Sequence, residues 1–323
     1  MLIHAQPAHI DLLSRLLVLL PVAGRVDVRC HFGSPWSVAH EPAGFNEIPY
    51  HVLVRGAAVL EDGSGPSETL ATGDIVIFPN GQSHTLHDGS GRPPVPIAKQ
   101  RSASFVVAEN GADGAKTDIL CGRFLLGAVP DRLLREHLPG RLVVHTCAKS
   151  KDFDSLEAVN GSLDRLISLM REEVDEPRPG SEALLNHLSG ALFALALRYA
   201  GESPRPPRGL LALAARPRLQ PAASAMFDSP QKPWTLEQLA AACSMSRATF
   251  VRQFRETIGR SATDVLTDIR MTIAGKELLQ SRKSTAEIAE TVGYQSEAAF
   301  QRIFKRLVGM SPARWRSVGR ANS

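Results

Sequence analysis

Apolar positions in the C-terminal third of the chain recur at helical spacing, and the recurrence is written twice. One copy reads Leu239-Ala240, Ser246, Phe250, Phe254, Gly259 and Ser261; the other reads Ile288-Ala289, Ser296, Phe300, Phe304, Gly309 and Ser311. The offset is 50 from the serine onward and 49 in the preceding stretch, so the second turn is one residue longer. Each copy predicts a short helix with an apolar stripe (Leu236, Leu239, Ala240; then Ile288, Ala289, Val292), a tight turn, and a second helix. A serine stands where the N-cap of that second helix belongs, and phenylalanines follow at i and i+4 on one face. Between the copies, Val265, Leu266, Ile269, Ile273, Leu278 and Leu279 predict one linker helix over 261–281, about 30 Å long.

The N-terminal half changes period. His51–Gly56, Ala57–Glu61, Asp74–Phe78 and Ser104–Ala108 read as short strands, separated by turns at Gly56, Asp62-Gly63-Ser64-Gly65, Gly73-Asp74 and Asn80-Gly81. Short strands with such punctuation predict an all-β sandwich or barrel. Leu12–Leu20 reads as an amphipathic N-terminal helix, broken by Arg15 and too short for a membrane span or a signal peptide. Over 160–200, the stripe Leu163, Leu166, Ile167, Met170 and the run from Leu184 to Tyr199 predict two helices joined at Glu176–Gly180. They suit packing on the barrel or pairing with a second subunit, and homodimerisation is the favoured expectation. Gly201–Gly209 reads as a Pro-rich linker. The expected architecture is α+β and multidomain, with an N-terminal β-barrel and appended helices. An all-α domain with two helix-turn-helix units joined by a linker helix completes it. The expected segments are 1–150 for the barrel, 151–209 for the helical region and linker, and 216–320 for the helical domain.

Charge is distributed unevenly. The 323 residues carry 37 Lys and Arg against 33 Asp and Glu. Residues 231–323 hold 15 against 8, so the remaining 230 residues hold 22 against 25, and the basic excess lies wholly in the helical repeat. That asymmetry is what phosphate neutralisation on nucleic acid requires; a general role in solubility does not account for it. Four cysteines without CxxC spacing suggest neither a disulfide framework nor a zinc knuckle, and point to a cytoplasmic protein with reduced thiols and no membrane association.

Drawing the phenylalanines inward, at about 100° per residue, turns specific side chains outward. In the first unit these are Ala248, Arg252 and Arg255, with Ser246 and Arg247 at the helix start. In the second they are Ala298, Arg302 and Lys305, with Ser296 and Glu297 at the start. Small and basic residues on the first half of a second helix fit the major groove of double-stranded DNA. An ordinary helical hairpin with a solvated basic face explains one copy, but not two with arginine at the same exposed place.

These residues carry a family resemblance. Trp234-Thr-Leu-Glu-Gln-Leu-Ala, Met245-Ser-Arg, Phe250-x3-Phe254, Arg270-Met271, Ile288-Ala-x2-Val-Gly-Tyr294, Phe300-x3-Phe304-Lys305 and Gly309-x-Ser-Pro312 resemble the AraC/XylS family of bacterial transcription regulators over residues 216–318. Ser261-Ala262-Thr263 departs from the Ser-Pro pair kept at Ser311-Pro312, which should alter only how the linker helix begins. Farther upstream, Gly73-Asp74, Pro79, Gly81 and His84 resemble the second motif of cupin barrels. That is similar to the sensor domain of one branch of AraC regulators.

The resemblance implies binding of a promoter or operator, contact with RNA polymerase, and a response to a small-molecule or oxidant effector. Within the barrel, His51 and His84 are candidates for effector contact. The first cupin motif is missing, since Pro49 stands near the expected glutamate, and nothing in the sequence fixes the geometry of His40 or His87. The expectation is therefore no bound metal, no cofactor and no catalysis. Cys30 beside His31, and Cys121 near Arg123, are candidate reactive thiols, because a neighbouring base or cation favours the thiolate. Burial as small apolar residues is the competing reading for both; Cys147 and Cys243 have weaker cases. The expected function is a sequence-specific transcription regulator, an activator. Two alternatives are a metal-dependent cupin enzyme fused to a DNA-binding module and a constitutive architectural DNA-binding protein.

Overall fold

The computed structural model describes residues 11–44, 46–101, 105–127, 130, 132–146, 154–203, 206–213 and 216–321. Ser104, at the start of the fourth strand candidate, and Cys147 lie outside the described residues. The chain forms two compact units that do not follow chain order. The β-rich unit comprises Val22–Gly127 and Leu138–Arg205, and the helical unit comprises Met1–Pro21, Ala128–His137 and Pro206–Ser323. This grouping differs from the expected segments in placing the N-terminal helix and a stretch near residue 130 with the DNA-type repeat. Burial supplies the reason. Leu16 and Leu20 at the start, and Leu133 and Leu134, are each no more than 3% exposed.

In the β-rich unit the strands are β1 (Val22–Gly33), β2 (Ser37–His40), β3 (Glu47–Arg55), β4 (Ala57–Glu61), β5 (Glu68–Ala71) and β6 (Ile75–Ile77). Then come β7 (His84–His87), β8 (Ala98–Arg101), β9 (Val106–Glu109), β10 (Lys116–Leu126) and β11 (Leu142–Val144). A seven-stranded sheet runs β11-β6-β3-β10-β1-β9-β8, and a four-stranded sheet runs β2-β7-β4-β5. Only β1 and β9 pair in parallel; the other described pairs are antiparallel. The core lies between the sheets and includes Phe32, Trp36, Leu60, Phe78, Leu86 and Ile119, all no more than 2% exposed.

The helices, in chain order, are α1 (Leu12–Leu19), α2 (Arg132–Arg135), α3 (Asp154–Asp175), α4 (Ser181–Glu202) and α5 (Gln220–Asp228). They continue with α6 (Leu236–Ala242), α7 (Arg247–Ile258), α8 (Ala262–Gln280), α9 (Thr285–Thr291), α10 (Glu297–Val308) and α11 (Pro312–Ala321). α4 covers the outer face of the large sheet: Phe193 meets Phe124 with ring centroids 4.7 Å apart, and Ser189 Oγ bonds Tyr50 Oη at 2.8 Å. Much of the apolar face that suggested subunit pairing is therefore buried within the chain. In the helical unit, α8 is the predicted linker helix. Its N-cap is a reciprocal box between Ser261 and Asp264, which replaces the missing Ser-Pro start without shifting the helix. No described helix is long and apolar enough to cross a membrane.

Candidate nucleic-acid interface and barrel histidine cluster

Each helix-turn-helix unit is punctuated by its own side chains. Thr235 and Gln238 cap α6 reciprocally, as Ser284 and Glu287 cap α9. Ser246 accepts the Thr249 amide at 3.2 Å to start α7, and Ser296 accepts the Ala299 amide at 3.4 Å to start α10. Gly259 and Gly309 end the two second helices in the left-handed region. Phe250, Phe254, Phe300 and Phe304 are all buried to within 1%, so the helical faces stand as projected.

The opposite faces are open. Ser246, Arg247, Ala248, Arg252 and Arg255 are exposed along α7, and Ser296, Glu297, Ala298, Arg302 and Lys305 along α10. Arg247 pairs with Glu237 at 3.0 Å, and Glu297 accepts from Gln301 Nε2 at 2.8 Å. Among the described residues, no carboxylate pairs with Arg252, Arg255, Arg302 or Lys305, so these charges point outward unneutralised. The α7 face opens on a shallow groove of about 860 Å³, lined also by Arg208 and Val251.

Two features of this unit were hidden in the sequence. Asp268, on the linker helix, is 2% exposed and holds two arginines, Arg132 at 3.1 Å and Arg260 at 2.5 Å. Its position in an apolar periodicity gave no sign of a buried carboxylate. The turns also differ: Ser244 sits at φ 52° where the second unit has Gly293 at φ 88°.

In the barrel, strand register assembles a cluster from distant residues. On the large sheet Cys121 is the cross-strand partner of His51. On the small sheet His40 is the partner of His84. Across the interior, His51 Nε2 lies 2.7 Å from His84 Nε2, and His51 Nδ1 lies 3.0 Å from Cys121 Sγ. Cys30 Sγ lies 3.9 Å from Cys121 Sγ. The Gln82 carbonyl, 3.0 Å from His84 Nδ1, can only accept, which places a proton on His84 Nδ1 and leaves Nε2 as acceptor. His51 Nε2 then donates to His84, and its Nδ1 accepts from the Cys121 thiol.

Low polarity sets the charge of this cluster. Burial, reinforced by the neighbouring imidazoles, pushes the His40 pKa down to about 4 and holds His51 well below the ordinary histidine value. Burial lowers His84 too, against the Gln82 carbonyl and Asp62. The hydrogen bond with Cys30, and then burial, raise the Cys121 thiol well above its usual range. The expected thiol activators are engaged elsewhere. His31 Nδ1 is 2.9 Å from Asp118, and Arg123 binds Asp27 at 2.8 Å and Glu47 at 2.6 Å. His31 follows Cys30 directly in β1 and so faces away from it. Arg123 is drawn to carboxylates because an unpaired guanidinium there is costlier than a protonated thiol. The base beside the thiol pair is His51, through cross-strand register.

Comparison with known proteins agrees with both halves. A cupin family model matches residues 11–202, and a helix-turn-helix domain model matches 239–317. An uncharacterised HTH-type transcriptional regulator of Haemophilus influenzae is 30% identical over 307 residues, covering 95% of this chain and 98% of its own length. The RCS-specific HTH-type transcriptional activator RclR of Escherichia coli is 30% identical, covering 95% of this chain and 97% of its own. The HTH-type transcriptional regulator MtrA of Neisseria gonorrhoeae is also 30% identical, with 96% and 99% covered. A cupin-type domain followed by a doubled helix-turn-helix, with relatives matched along nearly their whole length, places the chain in the AraC/XylS family of helix-turn-helix transcription regulators.

Proposed function

We propose that this regulator reads a promoter sequence through α7 and α10 and takes its input at the Cys30–Cys121 thiol pair in the barrel. The DNA half is supported by the outward charges. Arg252 and Arg302 occupy equivalent places on the two second helices and contact bases, while Arg255 and Lys305 contact phosphate. Alanine at Arg252 or Arg302 is expected to weaken specific binding by roughly 1–3 kcal/mol, whereas Arg255→Ala and Lys305→Ala weaken all sequences alike and flatten the salt dependence. Footprints of wild-type strength and pattern from both Arg252 and Arg302 variants would exclude this placement.

The single observation that carries the input is the 3.9 Å separation of two buried sulfurs on neighbouring strands. A strong two-electron oxidant of the hypohalous acid class converts one thiol to a sulfenic acid, its halide leaving as the anion. The second sulfur then displaces water, so two thiols give one disulfide and release two protons, with the electron pair passing to the oxidant. A disulfide requires about 2.05 Å between sulfurs, so closure draws β1 and β10 together and repacks the core around His51. Because the resting Cys121 thiol stays protonated at neutral pH, the pair answers strong, small oxidants and spares milder ones.

The name of the Escherichia coli relative, an RCS-specific activator, supports an activator role with a specific input. The regulator names of all three relatives support a protein without turnover of its own. Contact with RNA polymerase follows from the activator role. Leu169 and Leu184, each 38% exposed on α3 and α4, support a homodimer contact. The deciding experiment pairs thiol mass spectrometry with reporter induction in Cys30→Ser and Cys121→Ser strains. We expect an intramolecular disulfide in oxidant-treated wild type and loss of induction in both variants. A wild-type response from both excludes the thiol input and leaves sensing to the barrel histidines.

A further inference from the structure

Three imidazoles meet inside the barrel where the two sheets face each other, two from register partners on β2 and β7 and one from β3. One ring nitrogen from each can be chosen so that all three lie within 4.8 Å of one another. We propose that His40, His51 and His84 form a binding site for a late first-row divalent metal ion of the zinc type, with one coordination position left open.

The donor chemistry selects the ion. Neutral imidazole suits Zn(II), Ni(II) and Cu(II), whereas Mg(II) and Ca(II) demand oxygen. Three protein ligands leave a fourth position of a tetrahedral ion for water or a small donor.

The surroundings hold the rings as metal-bound histidines are held. A ligating histidine commonly gives its other N–H to a carbonyl, which fixes its tautomer and aim. His84 does so: Nδ1 bonds the Gln82 carbonyl and Nε2 faces the cluster. His51 turns Nε2 inward, while its Nδ1, an acceptor in the unliganded cluster, rests against the Cys121 sulfur. Phe78 stacks on the His84 ring with centroids 3.7 Å apart, and His40 stacks on the same ring at 4.7 Å, which limits how far the rings can swing.

A purely packing role leaves His40 unexplained. Among the described residues no group hydrogen-bonds its ring, yet the ring lies against two other imidazoles, 4.5 and 4.7 Å between centroids.

The adjustment required is small. Zinc–nitrogen bonds of about 2.05 Å in a tetrahedron place ligand nitrogens about 3.3 Å apart. The His51–His84 pair, at 2.7 Å, opens slightly, and the farthest pair, within 4.8 Å, closes by up to about 1.5 Å through ring rotation. On binding at Nε2, the His51 proton moves to Nδ1 and faces the Cys121 sulfur, reversing that hydrogen bond. The first cupin motif, whose absence led to the expectation of no metal, is not what builds this site. His40 arrives from a separate strand, and cross-strand register does the work of sequence spacing.

The test uses the full chain, stripped with a chelator and titrated with Co(II), whose visible absorption reports coordination. The expected result is one Co(II) per chain with tetrahedral d–d bands, displaced stoichiometrically by Zn(II). His40→Ala should weaken binding by about 100-fold or more. His40 is the least enclosed of the three rings, so circular dichroism should show that variant folded even if His51→Ala and His84→Ala are not. A Cys30→Ser, Cys121→Ser double variant should still bind one equivalent, because the sulfurs lie outside the ligand set. Absence of saturable stoichiometric binding in wild type overturns the site. So does wild-type affinity in His40→Ala, or loss of the equivalent in the double cysteine variant. None of these outcomes bears on the thiol input, which is read by reporter and mass spectrometry.

Discussion

At the residue scale, the two helix-turn-helix units solve one backbone problem differently. Each turn needs a residue with positive φ, and the first unit uses Ser244 where the second uses Gly293. A side chain in the left-handed region costs roughly 1–2 kcal/mol, which glycine avoids. At Gly293 there is a second constraint, because a Cβ there runs into the Gln231 carbonyl. Gly293→Ala is therefore expected to destabilise the helical unit by about 2–3 kcal/mol, the strain plus the collision. Ser244→Gly should gain at most about 1 kcal/mol, since part of the relief is lost to the larger entropy of glycine in the unfolded chain. Calorimetric melts of the full-length variants check both signs. A lower melting temperature for Ser244→Gly would mean that the hydroxyl makes an interaction the backbone geometry does not reveal. The repeat was legible without this detail because phenylalanine spacing and serine caps are local signals. The φ of one turn residue is not such a signal.

At the scale of elements, legibility depends on how many faces of a strand are buried. β4, Ala57–Glu61, was found from its sequence because it alternates buried and exposed positions; β6, Ile75–Ile77, was found as an apolar run between glycine turns. β1 and β10, the longest strands, were missed as such. From Ile119 to Gly122 β10 is buried on both faces, between the barrel core and α4, and so carries no alternation to read. The cysteines they carry were singled out from neighbouring residues, and those neighbours proved to be engaged with carboxylates. Register, which no local pattern encodes, instead brought His51 to Cys121 and His40 to His84. That same cluster predicts an acid limit for the barrel. The folded-state pKa of His40 lies near 4 and those of His51 and His84 are also depressed, while in the unfolded chain all three titrate near 6.5. Below 6.5 the unfolded chain takes up protons that the folded barrel refuses. The stability these neutral rings represent is thus complete above pH 6.5 and is lost as pH falls toward 4. His40 alone accounts for on the order of 3 kcal/mol across that window, as the linkage between a depressed pKa and folding requires. Denaturant melts of chelator-treated protein at pH 7.5 and 5 should show the loss, and His40→Gln should reduce it. An equal loss in His40→Gln would assign the acid sensitivity to other groups.

At the scale of the whole molecule, the chain passes between its two units four times, at residues 21–22, 127–128, 137–138 and 205–206. A signal beginning in the barrel, as proposed, would therefore have covalent routes besides the Pro-rich stretch. One route starts at the strand that carries the proposed input. β10 carries Cys121, ends at Leu126, and leads into the short α2. In the helical unit α2 buries Leu133 and Leu134, and Arg132 reaches Asp268 on α8, the helix that joins the two reading units. The Pro130 carbonyl also accepts from Thr272 Oγ1 of α8 at 3.4 Å, one turn beyond Asp268. If disulfide closure shifts β10, as the proposed input requires, this covalent path is one by which the shift would reach α8, the helix between α7 and α10. Breaking a buried ion pair by removing one partner costs about 3–5 kcal/mol, so Asp268→Asn should lower the stability of the helical unit appreciably. Below its melting temperature, the variant should still bind its DNA, because none of the residues proposed to contact DNA is touched, yet show a smaller ratio of induced to basal transcription. Coupling rather than simple weakening is decided by a double-mutant cycle. If Asp268 lies on the route from Cys121, then Cys121→Ser and Asp268→Asn together should reduce induction no further than Cys121→Ser alone. Induction ratios that multiply independently, or an Asp268→Asn strain that responds like wild type, would make this contact structural and send the signal through another crossing.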